Sequence, residues 1–244
     1  MKTRIFVFLT TALWFFIPFN VTAQRLRVGI KAGAGVAKFD YKSQSQVSSP
    51  DFFQVFDGPR NIVNGEYRPT YMLSGLLEYD LPNAFFLSSG IQASMKFSHF
   101  TVPSGYAKEE EINDYRFNIL YLQIPITIHY RLGKFFFGAG GYAGWAIAGT
   151  WKNKTFDDNR TLQLTKGNIK FGNDEQVSNL QRFDYGVRGE FGYGFKRIRL
   201  SLAFDQGIAK MKANNAKPDN APAEKGTLSN QAIYATATYY WLAK

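Results

Sequence analysis

The chain contains no cysteine and two histidines, His99 and His129. Without cysteine there is no disulfide framework and no thiol to carry a lipid anchor behind a leader. A zinc site needs about four ligands, and no His/Asp/Glu cluster falls at ligand spacing, so neither metal nor cofactor is expected. Beyond residue 23 no apolar run approaches the ~20 residues of a membrane-spanning helix, and no stretch of useful length holds an apolar period of 3.6. Acidic residues are scarce as well, 19 against 29 Lys and Arg, for a formal net charge of +10.

What is present begins with a leader. Lys2 and Arg4 precede an apolar run over residues 5–19, and Val21-Thr22-Ala23 places small residues before Gln24. That pattern predicts a signal peptide over 1–23, cleaved to leave a mature domain over 24–244. Removal takes two basic residues and no acid, so the exported chain stays basic. In the cytosol such a charge would suggest nucleic acid. In an exported protein it points instead to outer-membrane lipid and the phosphates of lipopolysaccharide, and no nucleic-acid partner is expected.

The mature chain alternates with period 2, the strand signature. Over 116–131, Leu120, Leu122, Ile124, Ile126, Ile128 and Tyr130 share one face, and Tyr121, Gln123, Pro125, Thr127, His129 and Arg131 the other. The same split recurs over 26–36, 70–81, 84–99, 182–196 and 197–206. Segments 135–149 and 231–242 alternate less cleanly, with small residues and aromatics on both faces. About eight strands result, the smallest number used by bacterial outer-membrane barrels. Short turns at 81–83, 132–134 and 196–197 alternate with long polar stretches at 39–69, 100–115, 150–180 and 210–228, as periplasmic turns and extracellular loops do. An even strand count puts both chain ends on one side. The expected fold is an eight-stranded antiparallel up-and-down transmembrane β-barrel.

Charges of both signs lie on the polar faces, and aromatics flank the apolar ones. Tyr79, Phe85, Tyr130, Phe135 and Phe195 lie near the short turns, and Phe97, Trp145, Phe183 and Tyr185 near the long stretches. Two aromatic girdles mark two membrane interfaces, so the apolar face is read as lipid-facing and the polar face as luminal. Lys31, Glu78, His129, Arg131, Arg188, Glu190, Arg199 and Asp205 are then expected to pair inside a narrow, plugged lumen. In the first long stretch, Phe52, Phe53 and Phe56 are exposed-loop aromatics suited to a partner contact or to folding over the barrel mouth. Lysines 210, 212, 217 and 225 are suited to anionic lipopolysaccharide.

Catalytic signals are few. Gly138-Ala139-Gly140-Gly141-Tyr142-Ala143 matches a dinucleotide fingerprint in letters, but a strand continues where the motif requires a helix. Glu109-Glu110-Glu111 reads as a solvated charge run. His99 with Thr101 is the one pair suited to a lipid hydrolase, and Ser98 is excluded because neighbours on a strand face opposite ways. No enzyme is expected.

Val28-Gly29-Ile30-Lys31-Ala32-Gly33, Tyr121-Leu122-Gln123-Ile124-Pro125-Ile126, Gly138-Ala139-Gly140-Gly141-Tyr142 and Phe183-Asp184-Tyr185-Gly186 together resemble the PorT-like family of small outer-membrane β-barrels. The likeness runs along the whole mature chain, and Tyr-Leu-x-Ile-Pro is its most specific part. It implies a bacterial surface barrel, and its best-studied branch takes part in a protein secretion machine. The functional expectation is therefore a non-enzymatic outer-membrane envelope component, accessory to protein secretion or surface assembly. A narrow porin-like channel and a barrel lipid hydrolase are the alternatives.

Overall fold

In the computed structural model the described residues are 26–42, 62–103, 112–156, 162–172, 180–209 and 227–242. They form ten strands: β1 (Leu26–Lys42), β2 (Ile62–Asn64), β3 (Glu66–Asp80), β4 (Phe85–Pro103), β5 (Ile112–Leu132), β6 (Phe135–Phe156), β7 (Leu162–Asn168), β8 (Phe183–Gly194), β9 (Ile198–Gly207) and β10 (Thr227–Leu242). Eight of them make a closed antiparallel ring in the order β1, β3, β4, β5, β6, β8, β9, β10. Closure comes from β10 pairing with β1, from Val28 opposite Leu242 to Lys42 opposite Thr227. The short strands β2 and β7 extend the ends of β1 and β6 at the long-loop end.

The turns follow local chemistry. Asn83 and Ala84 both adopt positive φ, 59° and 64°, and Gly133 adopts 62°. Left-handed residues suit the tight hairpins whose twist matches that of the flanking strands. Leu26 lies opposite Tyr79 and Val28 opposite Leu242, so β1 starts and β10 finishes at the short-turn end.

Polarity is inverted relative to a water-soluble protein. Lys96, Asp184 and Asp205 are fully buried, whereas Ile91, Ile124 and Ile126 are more than half exposed. Charged side chains inside and branched aliphatics outside require a hydrocarbon solvent, and the closed ring leaves no backbone edge facing it. Ile126→Arg is expected to destabilise the barrel by about 2–4 kcal/mol in lipid vesicles, measured by urea unfolding, with little effect on structure in detergent.

The stretches 39–69, 100–115 and 150–180 contain more strand than alternation indicates. β1 runs to Lys42, β4 to Pro103 and β6 to Phe156, and β7 lies inside a stretch read as loop. Pairing there continues past the apolar wall, where the outward face turns polar and the inward face turns apolar at Phe39, Phe100 and Phe117, so the apolar-out, polar-in signal is lost although the backbone ladder is not. The blurred pattern of β6 arises from aromatics on the inward face, Phe136 and Tyr142, and near its far end from a bulge. Tyr121 pairs with Ala146 and Leu120 with Ala148, so Ile147 is an extra residue that flips the facing parity.

Candidate functional site

Four stacked layers fill the lumen. Nearest the short turns, Glu78 accepts from Arg199 Nη1 at 2.5 and 2.7 Å and from the Tyr240 hydroxyl at 2.6 Å. Arg199 stacks over Phe86 at 4.4 Å and near Phe136 and Tyr240 at 5.1 Å each. Arg27 and Arg131 converge on Asp80 at 2.6 and 2.9 Å. In the next layer, Glu190 accepts from Lys31 Nζ and Ser201 Oγ, both at 2.6 Å, and His129 Nε2 lies 3.4 Å away.

Above it, Arg188 makes a two-pronged pair with Asp205, 2.6 and 2.7 Å, and its third nitrogen donates to Gln92 at 3.0 Å. In the fourth layer, Lys96 donates to Asn230 at 2.5 Å and lies 3.6 Å from Asp184, while its ammonium faces the rings of Tyr121 and Tyr142. Each of these luminal cations thus has a carboxylate partner, which is what makes charge tolerable in a medium of low dielectric constant.

An apolar cap closes the long-loop end. Phe39, Phe100, Phe117, Ile119 and Tyr121 point inward there and pack with Ile169, Leu180, Ala209 and Leu228. The stretch around Ile169 and Leu180 is held by Gly172 donating to the Leu180 carbonyl at 2.9 Å and by Ile169 donating to the Gly149 carbonyl of β6 at 2.8 Å. Sequence reasoning missed this cap. Its signal was available, since Phe117, Ile119 and Tyr121 are in phase with Gln123 and Thr127 on the inward face of β5.

Of the eight residues expected in the luminal network, Lys31, Glu78, His129, Arg188, Glu190, Arg199 and Asp205 are buried inside the ring. Arg131 is partly exposed at the short-turn rim, paired with Asp80. Arg27, Asp80, Lys96 and Asp184, charges on the same polar strand faces of the sequence, join the network. Phe52, Phe53 and Phe56, the leader at 1–23, the acidic run at 109–111 and Lys210, Lys212, Lys217 and Lys225 lie outside the described residues.

Two arrangements bring a histidine together with acidic side chains. Ser88 Oγ, His129 Nδ1 and Glu190 Oε2 link in the order of a hydrolytic triad, with the His129 contacts at 3.4 Å on both sides. All three are buried, and the adjoining void of about 10 Å³ admits no substrate larger than a water. On the outer wall, His99 lies between Glu66 Oε2 at 2.9 Å and Asp114 Oδ1 at 2.5 Å. These carboxylates come from β3 and β5, on either side of β4. Ser98 faces the lumen and accepts from the Phe39 amide at 3.1 Å, so it does not serve His99. The Thr101 side chain lies outside the described residues. Burial alone would raise the Asp114 pKa, but the hydrogen bond from Arg116 and the charges of His99 and Arg116 outweigh it and hold the group below its ordinary value. Among the described residues no cluster of three or more His, Asp or Glu could hold a metal ion.

The profile of the family described as outer membrane protein beta-barrel domain matches residues 20–213. No curated protein matches the sequence. Among solved structures, the chain is similar to the outer membrane protease OmpT from Escherichia coli, at 10% identity and a TM-score of 0.40 over 92% of this chain and 99% of that one. It is similar to Ail, the attachment invasion locus protein of Yersinia pestis, at 11% identity and 0.36 over 89% and 99%. OprG from Pseudomonas aeruginosa matches at 12% identity and 0.39 over 89% and 96%.

Proposed function

This chain belongs to the outer membrane protein β-barrel domain family, and from that premise we propose that it works through its two ends and not through its lumen. In this reading it is a non-enzymatic envelope component, delivered by a cleaved leader over residues 1–23. Its loops or turns contact other envelope proteins, as an accessory of secretion or surface assembly. The resemblance to the PorT-like barrels adds weight to the secretion branch of the proposal. One observation carries it: paired charges fill the ring from Glu78 to Lys96, and the apolar cap around Phe117 and Leu180 stops its outer mouth.

A permeant ion would have to displace buried side chains that neutralise one another, at a cost of several kcal/mol per ion. The purified protein in planar bilayers is therefore expected to give no steady single-channel steps. Reproducible steps would reverse the reading in favour of a narrow passive channel. Gentle detergent extraction of tagged protein is expected to bring down a stoichiometric set of envelope proteins. A solitary barrel in that experiment would remove the assembly role.

A further inference from the structure

On the outer wall, at the long-loop end, a cleft of about 370 Å³ opens between β3 and β5. Its origin is a register shift. Tyr67 pairs with Ser98 and Tyr71 with Met95, so β3 carries one more residue than β4 between these pairs. Pro69, lacking an N–H, sits in that bulge, where the ladder needs no donor from it. The bulge turns Arg68 outward beside His99, and the two side chains are in contact.

A transverse row of polar residues crosses the wall at this height. Glu66 lies opposite His99, His99 opposite Arg116, Arg116 opposite Lys152, and Lys152 opposite Lys166. Adjacent strands are about 4.8 Å apart, so three cations stand side by side on neighbouring strands. Like charges directly opposite one another destabilise a sheet. The two local carboxylates offset only part of this charge: Glu66 is engaged by Arg68 and His99, and Asp114 by His99 and one edge of Arg116, so neither pairs with Lys152 or Lys166. Lys152 and Lys166 have no ion-pair partner among the described residues. Immediately toward the membrane, the same cleft is floored by Tyr71 and Phe97, and Tyr71 is among the most exposed aromatics of the wall.

Concentrated positive charge above an aromatic floor, at the outer edge of a lipid-facing wall, fits an amphiphile with an anionic head. We infer that this cleft binds the phosphorylated headgroup of an outer-leaflet glycolipid, with phosphate held by Arg68, Arg116 and Lys152 and the first acyl carbons lying on Tyr71 and Phe97. Arg116 spends Nε and Nη2 on Asp114, at 3.2 and 2.8 Å, which fixes its guanidinium plane and leaves the other edge free to donate to phosphate oxygens. The inference rests on the proposed outer-membrane placement, with the long loops facing outward.

The test uses the full chain in detergent and native mass spectrometry with bisphosphorylated lipid A, the same lipid after phosphate removal, and inorganic phosphate. The phosphorylated lipid is expected to be retained selectively. Arg68→Gln/Arg116→Gln/Lys152→Gln should weaken its retention about fivefold per cation, about a hundredfold in all. Lys134→Gln/Arg197→Gln at the opposite end should leave retention unchanged. Equal retention of the two lipids, or a triple variant that binds like the parent, would overturn the site. Displacement by inorganic phosphate at millimolar levels would identify a soluble-anion site and overturn the lipid assignment. Because the chain has no cysteine, Lys166→Cys reports orientation cleanly. Labelling by an impermeant maleimide in intact cells is expected. Labelling only after lysis would overturn the outward placement, whereas surface labelling with equal lipid retention would overturn the cleft assignment alone.

Discussion

Arg188→Met is expected to cost the barrel about 3–5 kcal/mol in urea unfolding from lipid vesicles, among the largest losses any single luminal substitution should produce. Arg188 is bound by both prongs to Asp205, and neither residue is exposed. Methionine fills much of the volume, so little of the loss comes from a cavity. The penalty arises because the Asp205 carboxylate stays behind without its countercharge in a medium that solvates it poorly, and Gln92 loses a donor at the same time. If that account is correct, Arg188→Met/Asp205→Leu should recover most of the lost stability, since an apolar pair of similar size removes both charges together. A double variant as unstable as the single one would mean that Arg188 acts through packing. Either outcome separates pairing from bulk, which matters here because the whole plug is built from such pairs.

How far the fold can be read from the sequence depends on which geometric quantity is asked for. Parity within a strand is local, and it was legible. The alternation from Leu120 to Tyr130 gives the outward face of β5, and Gln123, Thr127 and His129 lie on the buried side. Height within the barrel is not local. Lys31 meets Glu190 across 159 positions, and Arg199 meets Glu78 across 121. Which inward charge reaches which depends on the stagger of strands around a closed ring, a collective property that no segment carries alone.

The same reasoning covers His99. Its neighbours Ser98 and Thr101 were readable from the strand, but the carboxylates beside it come from β3 and β5 and depend on register. The basic row on the outer wall was hidden for this reason too, since Arg68, Arg116 and Lys152 come from three strands and are remote from one another in sequence. Its bulge left one trace, Pro69, which closes the polar stretch 39–69 in the sequence and lies inside the strand Glu66–Asp80 in the structure. The leader and the aromatic stretch at 52–56 are readable as composition and lie outside the described residues.

Gly140→Ala is expected to do more damage than its single methyl suggests, because the first atom the new Cβ would meet belongs to backbone. At Gly140 an added Cβ would lie 2.0 Å from the Ile126 carbonyl oxygen and 2.7 Å from the Thr127 Cα. A side chain struck at that range could rotate away, but a carbonyl held in the β5–β6 ladder cannot. Relief requires the two strands to separate or slip, and slippage by one residue would carry luminal charges to the lipid face. The loss should therefore exceed the about 1–3 kcal/mol of an ordinary overpacked core. It should appear as failure to form the compact, heat-modifiable band on an unboiled detergent gel.

Gly189→Ala supplies the control. It sits on β8 with nothing within 4 Å of the added carbon. There alanine should be neutral, or stabilising by about 0.5–1 kcal/mol through reduced freedom of the unfolded chain. Equal behaviour of the two variants would show that strand pairing near Gly140 is looser than its close approach to Ile126 implies. A folded Gly189→Ala beside an unfolded Gly140→Ala would show that glycine sets how tightly β5 and β6 can curve together, and so how narrow the charge-filled lumen can be.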